Sequence, residues 1–333
     1  MPASLADVAR LAGVSIATAS RALNGSQHPV SPRARERVLQ AAAEVGYSPS
    51  PLAQALVNRR SPVIGVIVGD VVDPFFAEVT RGVEDVAREA RFMTIICDSD
   101  RRTGAEIDYI RLLRDYHAAG VVFAGGGFRD DPRAGDLADA LDEISAAGTR
   151  VVSVAERGFG GAAVAIDNER AAFDITKHLT ELGHRRIGFV RGIPGLTTAE
   201  ARQAGYLAAM TSAGLQADLQ YEGNFRYESG QSAALQFLAR GLPDAILAAN
   251  DESAIGVLMA LRQAGVGIPE TVSVAGIGGT RVSQLVDLTT VNVALYETGA
   301  EAARRIIDRR GWDPERRTIL PHRLVIRGTT ARR

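Results

Sequence analysis

Residues 5–25 read LADVARLAGVSIATASRALNG, and the fold of the head of the chain follows from their spacing. Ser4 is a helix N-cap, and Leu5, Val8, Ala9 and Ala12 follow it at helical spacing. Gly13 suits the left-handed conformation that stops a helix. Val14 packs inward and Ser15 caps a second helix. That helix runs through Thr18, Ala19 and Arg21 to Leu23, and Asn24-Gly25 ends it. A third helix is predicted after Ser31-Pro32, carrying Ala34, Val38, Leu39, Ala42 and Val45 and stopping at Gly46. Two short helices about a glycine turn, braced by a third, make a helix-turn-helix. An ordinary three-helix fragment explains the same apolar spacing. It does not explain why the outer face of the second helix is small and polar.

Charge singles out the same segment. Residues 1–60 hold seven arginines against three acids, a net +4, which leaves −5 on the remainder of a chain whose total is −1. A basic head on an acidic body suits contact with a polyanion. Lys177 is the one lysine, so the cationic residues are almost all arginine.

The whole chain is 333 residues, 46 % apolar and 23 % charged, enough for two or three domains with a large core. One cysteine, Cys97, rules out a disulfide framework and a cysteine-only metal site. No apolar run approaches the roughly 18 residues of a membrane helix. Asp7 and the lack of a basic start before an apolar stretch argue against a secretory signal. A cytoplasmic location is expected.

Beyond residue 62 the chain alternates strands and helices. The runs 63–68, 94–97, 120–124, 151–154, 187–190, 245–248 and 272–275 read as buried strands, with a short one near Tyr221. Helices are expected at 75–90, 106–117, 137–147, 169–182, 199–213, 229–239 and 253–264. Repeated β-α units imply parallel sheets with helices on both faces, with ligands bound beyond the carboxyl ends of the strands.

Residues 5–25, with Val30-Ser31, Arg37-Val38 and Gly46-Tyr47-Ser48-Pro49, resemble the headpiece of the LacI–GalR (lactose-repressor) family. A short stretch, Ser26–Pro29, departs from the pattern. The body resembles the periplasmic-binding-protein-like core of that family. The matching motifs include Asp73-Pro74-Phe75-Phe76, Ile166-Asp167-Asn168, Leu182-Gly183-His184-Arg185-Arg186, Ala249-Asn250-Asp251, Leu288-Thr289-Thr290-Val291 and Leu324–Thr330. The resemblance implies an all-α headpiece at 1–48, a hinge at 49–61 and a two-lobed α/β core at 62–333. Lobe 1 would hold about 62–166 and 292–321, and lobe 2 about 167–291 and 322–333, with crossings near Asp167, Val291 and Pro321.

The same resemblance implies residue roles. Ile16, Ala17 and Arg21 would face base edges in the major groove, Arg21 forking onto guanine. Ser15, Thr18, Ser20 and Asn24 would hold phosphates, which fix register. In the hinge, Leu56 would wedge the minor groove at a central base step, supported by Leu52 and Ala53. In the cleft, Arg202 would grip ligand oxygens, Thr198 would hydrogen-bond beside it, and Phe225 would stack on an apolar face. Asn250, Asp73, Phe75 and, by looser alignment with Glu156, Arg157 complete that set.

One departure concerns the cleft. After the strand at 272–275 the family usually has Gly-Tyr-Asp followed by Asp or Asn, and this chain has Gly276-Ile277-Gly278-Gly279. The usual aspartate is Gly278. Either the ligand has fewer hydroxyls at that end, or it is anionic, or no small molecule is sensed. His178 and His184 read as packing residues rather than metal ligands. Cys97 reads as a buried inert thiol. Gly125-Gly126-Gly127 reads as a tight turn at the cleft mouth, since it lacks a P-loop ending.

The expectation is therefore a DNA-binding transcriptional repressor. It would act as a homodimer on a near-palindromic operator, controlled by a small-molecule effector, with no cofactor, no metal and no catalytic set. The lack of a long heptad tail favours a dimer over a tetramer. A solute-binding protein and an enzyme on a doubly wound sheet are the alternatives. The DNA head counts against the first, and the lack of a convergent catalytic set against the second.

Overall fold

The computed structural model describes residues 3–24, 30–47, 61–157 and 159–333, apart from the side chain of Asn24. They divide into two compact units, one within residues 1–62 and one within 63–333. Ser26–Pro29 and the hinge residues Leu52, Ala53 and Leu56 lie outside the described residues.

The head is three helices: α1 (Leu5–Ala12), α2 (Ile16–Asn24) and α3 (Pro32–Glu44). Ser4 caps α1 in a reciprocal box with Asp7, and Ser31 caps α3 ahead of Pro32. Gly13 ends α1 at φ 62°, where a side chain would be strained, and its N–H bonds back into the last turn. Val8, Ala9, Ala12, Ala19, Ala22, Val38, Ala41 and Ala42 form the core, with Leu5, Val14, Leu23, Val30, Val45 and Tyr47 packed around it. Small residues let the helices approach closely, and their number compensates for their size.

The core unit contains two six-stranded sheets. The first is built from β1 (Ser61–Val68), β2 (Met93–Asp98), β3 (Ala118–Phe123), β4 (Arg150–Ser153), β5 (Ala162–Ile166) and β11 (Arg317–Leu320), in the order β11-β5-β4-β3-β1-β2. The second is built from β6 (Ile187–Val190), β7 (Gln220–Tyr221), β8 (Ala245–Ala248), β9 (Ser273–Gly278), β10 (Thr289–Asn292) and β12 (Arg323–Val325), in the order β12-β10-β9-β8-β6-β7. The pairs β1-β2, β3-β4, β4-β5, β5-β11, β6-β7, β6-β8, β8-β9 and β9-β10 are parallel, and β12 runs antiparallel to β10.

The helices that cover the sheets are α4 (Pro74–Glu89), α5 (Thr103–Asp115), α6 (Ala134–Ala146), α7 (Asn168–Glu181), α8 (Thr197–Ser212), α9 (Tyr227–Arg240), α10 (Asp251–Gln263), the short α11 (Arg281–Leu285) and α12 (Leu295–Ile307). Strands such as β1 are buried along nearly their whole length, as parallel strands covered on both faces must be. The chain passes between the sheets three times, from β5 to α7, from β10 to α12, and from β11 to β12. Each sheet with its helices is a lobe.

The elements depart from the sequence reading at helix starts and in elements it does not name. Helices α5 and α6 begin three residues earlier than their apolar periodicity, because a polar first turn carries no burial signal. The sequence reading names no strand at β5, β10, β11 or β12 and no helix at α11 or α12. The AAVAI run of β5 is mostly alanine, and it becomes a strand through pairing with β4 and with the distant β11.

Candidate functional site

Helix α2 presents Ile16, Ala17 and Arg21 to solvent, while Ala19 and Ala22 on its opposite side are buried in the head core. Ile16 is 55 % exposed, unusual for an isoleucine at the start of a helix. The Ser15 hydroxyl caps the helix, accepting from the Thr18 backbone N–H at 3.1 Å and lying 2.8 Å from the Thr18 hydroxyl. Ser20 is half-buried on the same helix. The head therefore carries an apolar-and-arginine strip flanked by hydroxyls.

The second candidate lies between the two lobes, at the carboxyl ends of the strands. A cavity of about 390 Å³, counting its solvent-open part, is lined by Asp73, Phe75, Phe76, Arg101, Gly125, Gly126, Leu196, Thr198, Arg202, Phe225 and Asn250. Six of the seven residues named for the cleft from sequence are here: Asp73, Phe75, Thr198, Arg202, Phe225 and Asn250. Gly126 sits where the lobes abut. A Cβ there would come within 2.7 Å of the hydroxyls of both Thr197 and Thr198.

Arg202, on α8, is 2 % exposed. Its Nε donates to Asn168 Oδ1 at 2.9 Å and its Nη1 to the Ala249 carbonyl at 2.6 Å. Its Nη2 is buried without a hydrogen-bond partner. Burial pushes the guanidinium down to about 10, against the pull of Asp251 and Asp73. The side chain lies 5.9 Å from the centre of the Phe225 ring.

Phe225 has φ 68°, a left-handed conformation rare for a bulky residue. Asn250 helps hold it there. The Asn250 amide donates to the Phe225 carbonyl at 2.7 Å, while its oxygen caps α10 by accepting from the Ser253 N–H at 3.0 Å. Asn250 thus spends both ends of its amide on the wall of the cavity.

Arg101 is a cavity residue that sequence reasoning missed. It follows β2 in a left-handed turn, with φ 49° at Asp100 and 55° at Arg101, and its guanidinium lies 5.7 Å from the Phe76 ring centre. It pairs with Asp70 at 3.3 Å and Asp73 at 3.5 Å. Burial holds Asp73 above the ordinary carboxylate range, although it accepts from the Phe75 N–H at 2.9 Å. The signal available in the sequence was position, because a charged cluster directly after a strand of a parallel sheet faces the ligand end.

Arg157 is not in the lining of this cavity, although the space it lines shares Phe76, Arg101, Gly125, Gly126 and Leu196 with it. It lines a neighbouring space and grips Glu106 with Nη2 at 2.6 and 2.7 Å, with Nη1 donating to the Gly125 carbonyl. The Phe123 ring lies 4.5 Å from the guanidinium. It braces the floor of lobe 1.

The Gly278-Gly279 departure has a local cause. Asp251 is buried and its oxygens accept from Thr290 Oγ1, from the Thr280 N–H at 2.8 Å and from Thr280 Oγ1 at 3.0 Å. Burial raises its pKa despite these bonds. A Cβ at Gly278 would stand 3.0 Å from Asp251 Oδ2, and one at Gly279 would meet the crossover backbone at Asn292 at 2.4 Å.

His178 and His184 belong to lobe 2, one in α7 and one just past it, and burial pushes both below the ordinary histidine value. Cys97 is buried in β2. Among the described residues no group of three or more His, Cys, Asp or Glu could hold a metal ion. No helix there is long and apolar enough to cross a membrane.

Residues 4–50 match the family model for bacterial regulatory proteins of the lacI family, and residues 176–330 match the periplasmic binding protein-like domain. The chain is similar to catabolite control protein A of Staphylococcus xylosus, 33 % identical over 99 % of this chain and 100 % of the relative. It is also similar to the lac repressor dimer bound to operator and the anti-inducer ONPF, with a TM-score of 0.84, 26 % identity, and coverage of 99 % and 100 %. A further likeness is to the transcriptional regulator CelR in complex with cellobiose, with a TM-score of 0.70, 32 % identity, and coverage of 98 % and 99 %.

Proposed function

Because the chain belongs to the lacI family of bacterial regulatory proteins, we propose that it is a sequence-specific transcriptional repressor. It binds a near-palindromic operator as a homodimer, in the cytoplasm and without catalysis. The observation that carries the reading is the exposed strip on α2. Arg21 forks onto guanine O6 and N7, Ile16 and Ala17 make apolar contact such as with a thymine methyl, and Ser15, Thr18, Ser20 and Asn24 hold phosphates. Residues 1–48 act as the headpiece. Residues 49–61 act as a hinge that places Leu56 in the minor groove, with Leu52 and Ala53 beside it.

The core, residues 62–333, senses a small molecule through Asp73, Phe75, Thr198, Arg202, Phe225 and Asn250. Arg157 serves that site indirectly, since its guanidinium is committed to Glu106. Ligand binding changes the angle between lobes, which changes hinge spacing and DNA affinity. Linkage requires operator DNA to shift ligand affinity by the same factor. The lac repressor and CelR structures, one with operator and one with cellobiose, support operator DNA and a small-molecule effector, a sugar or a sugar-derived or anionic metabolite, as partners.

A gel shift on the protein's own promoter region, with and without a metabolite panel, tests the reading. Retardation at low salt that a metabolite alters is the expected result. No retardation at low salt removes the regulator reading.

A further inference from the structure

The cavity between the lobes is rich in donors and poor in acceptors. A sugar hydroxyl both donates and accepts, so a site built for a polyol needs both kinds of partner. On the donor side stand Arg202 Nη2, buried and unpartnered, and the Arg101 guanidinium on the facing lobe. On the acceptor side the Thr198 hydroxyl, which also donates, is joined by little else. The oxygen of Asn250 is spent on capping α10. Asp73 gives one oxygen to the Phe75 N–H and holds Arg101 with the other. Position 278, at the end of β9, is glycine and offers no side-chain acceptor.

Charge gives the same direction. Among the described residues Arg202 has no carboxylate within ion-pair distance, and its two bonds go to neutral oxygens. The Asp251 carboxylate is filled by Thr280 and Thr290 instead. A buried cation without a contacting counter-charge is costly, and a bound anion offsets that cost. The remaining lining is the Thr198 hydroxyl and an apolar surface, chiefly Phe75, Phe76, Leu196 and Phe225.

We infer that the effector is a small organic anion whose carboxylate or phosphate oxygens bond Arg202 Nη2, with an apolar body against Phe75 and Phe225. This deepens, and rests on, the reading of the cleft as the effector site. Guanidinium and oxyanion make charge-assisted bonds about twice as strong as neutral ones, which sets the selectivity.

The test uses the full chain, its promoter DNA, and the low-molecular-mass fraction of an extract of the source cells. That fraction is split on an anion-exchange resin into a bound, salt-eluted and desalted part and a flow-through. Each part is assayed for its shift of operator affinity. In parallel, benzoate, benzyl alcohol, inorganic phosphate and glucose are titrated by thermal shift at matched ionic strength against wild type and Arg202→Gln. The expected result is activity in the resin-bound part. Benzoate or phosphate then raises the melting temperature at a concentration at least tenfold below that needed in R202Q, and benzyl alcohol is at least tenfold weaker than benzoate. Arg202→Lys keeps the charge and loses the fork, so it gives the same loss if R202Q does not fold.

Activity in the flow-through, or glucose binding that depends on Arg202, overturns the anion and leaves the effector cleft standing. Equal anion effects in wild type, R202Q and R202K mark ordinary salt stabilisation and overturn the inference. No activity in either extract part removes both the inference and the cleft reading.

Discussion

Asp70 and Arg226 stand on opposite lobes and meet at 2.8 Å across the mouth of the cleft. The same carboxylate oxygen also receives Arg101 from its own lobe at 3.3 Å. A single buried carboxylate therefore ties the ligand-facing arginine to lobe closure. Arg226 is half exposed, so Arg226→Gln costs less than about 1 kcal/mol of unfolding free energy. Asp70 is buried, and Asp70→Asn costs about 1–3 kcal/mol by stranding part of Arg101. Both substitutions open the lobes, read as a larger radius of gyration in small-angle scattering. Salt at 1 M, where the screening length is about 3 Å, moves the wild type toward R226Q. An unchanged scattering profile in both variants removes the latch.

Restoring the family's aspartate is harmful here. Gly278→Asp places a second carboxylate beside Asp251, whose oxygen lies 3.0 Å from the new Cβ. The variant melts at lower temperature, and adding Asp251→Asn recovers part of the loss. The double-mutant cycle yields a coupling of about 1–3 kcal/mol. Additive effects contradict the assignment.

Arg21 is exposed, so Arg21→Ala leaves the melting temperature unchanged. It weakens operator binding by about 1–3 kcal/mol and relaxes preference at one base position of each half-site. Arg21→Lys does not restore that preference, because an ammonium lacks the planar fork. Competition among operators mutated one base pair at a time measures both.

His184 is held below its ordinary value of 6.5 by burial. As pH falls through that value the unfolded chain takes up the proton first. Stability is therefore fully present above about pH 6.5 and declines below it. Chemical denaturation at about pH 7.5 and 5.5 shows a drop that is smaller in His184→Leu than in wild type. An identical drop in the two proteins excludes His184 as a contributor.

The chain has one thiol, Cys97, which burial pushes up to about 11. At pH 8 about one part in a thousand is thiolate. Dithiobis(nitrobenzoate) leaves the native protein unmodified over the time in which it titrates one equivalent in guanidinium chloride. Prompt native labelling places the thiol in a more open setting.

Local pattern carried much of this structure. The head follows from apolar spacing, caps and one glycine, each within a few residues of its partner. The β-α alternation is legible because buried parallel strands read as short apolar runs. Pairing across distance is not legible. Arg157 is matched with Glu106, 51 residues away, and that pairing leaves no trace in the local sequence. Arg101 was invisible for a similar reason. Its role depends on a left-handed turn and on which strand ends converge, and neither leaves a periodic trace.

The three passages of the chain between the sheets have a mechanical consequence. A break in the backbone at any one of them, between 166 and 168, 292 and 295 or 320 and 323, leaves the lobes tethered by the other two. A nicked protein stays one particle until it is denatured. Since three strands must bend together, the lobes are also restrained to swing about one shared line.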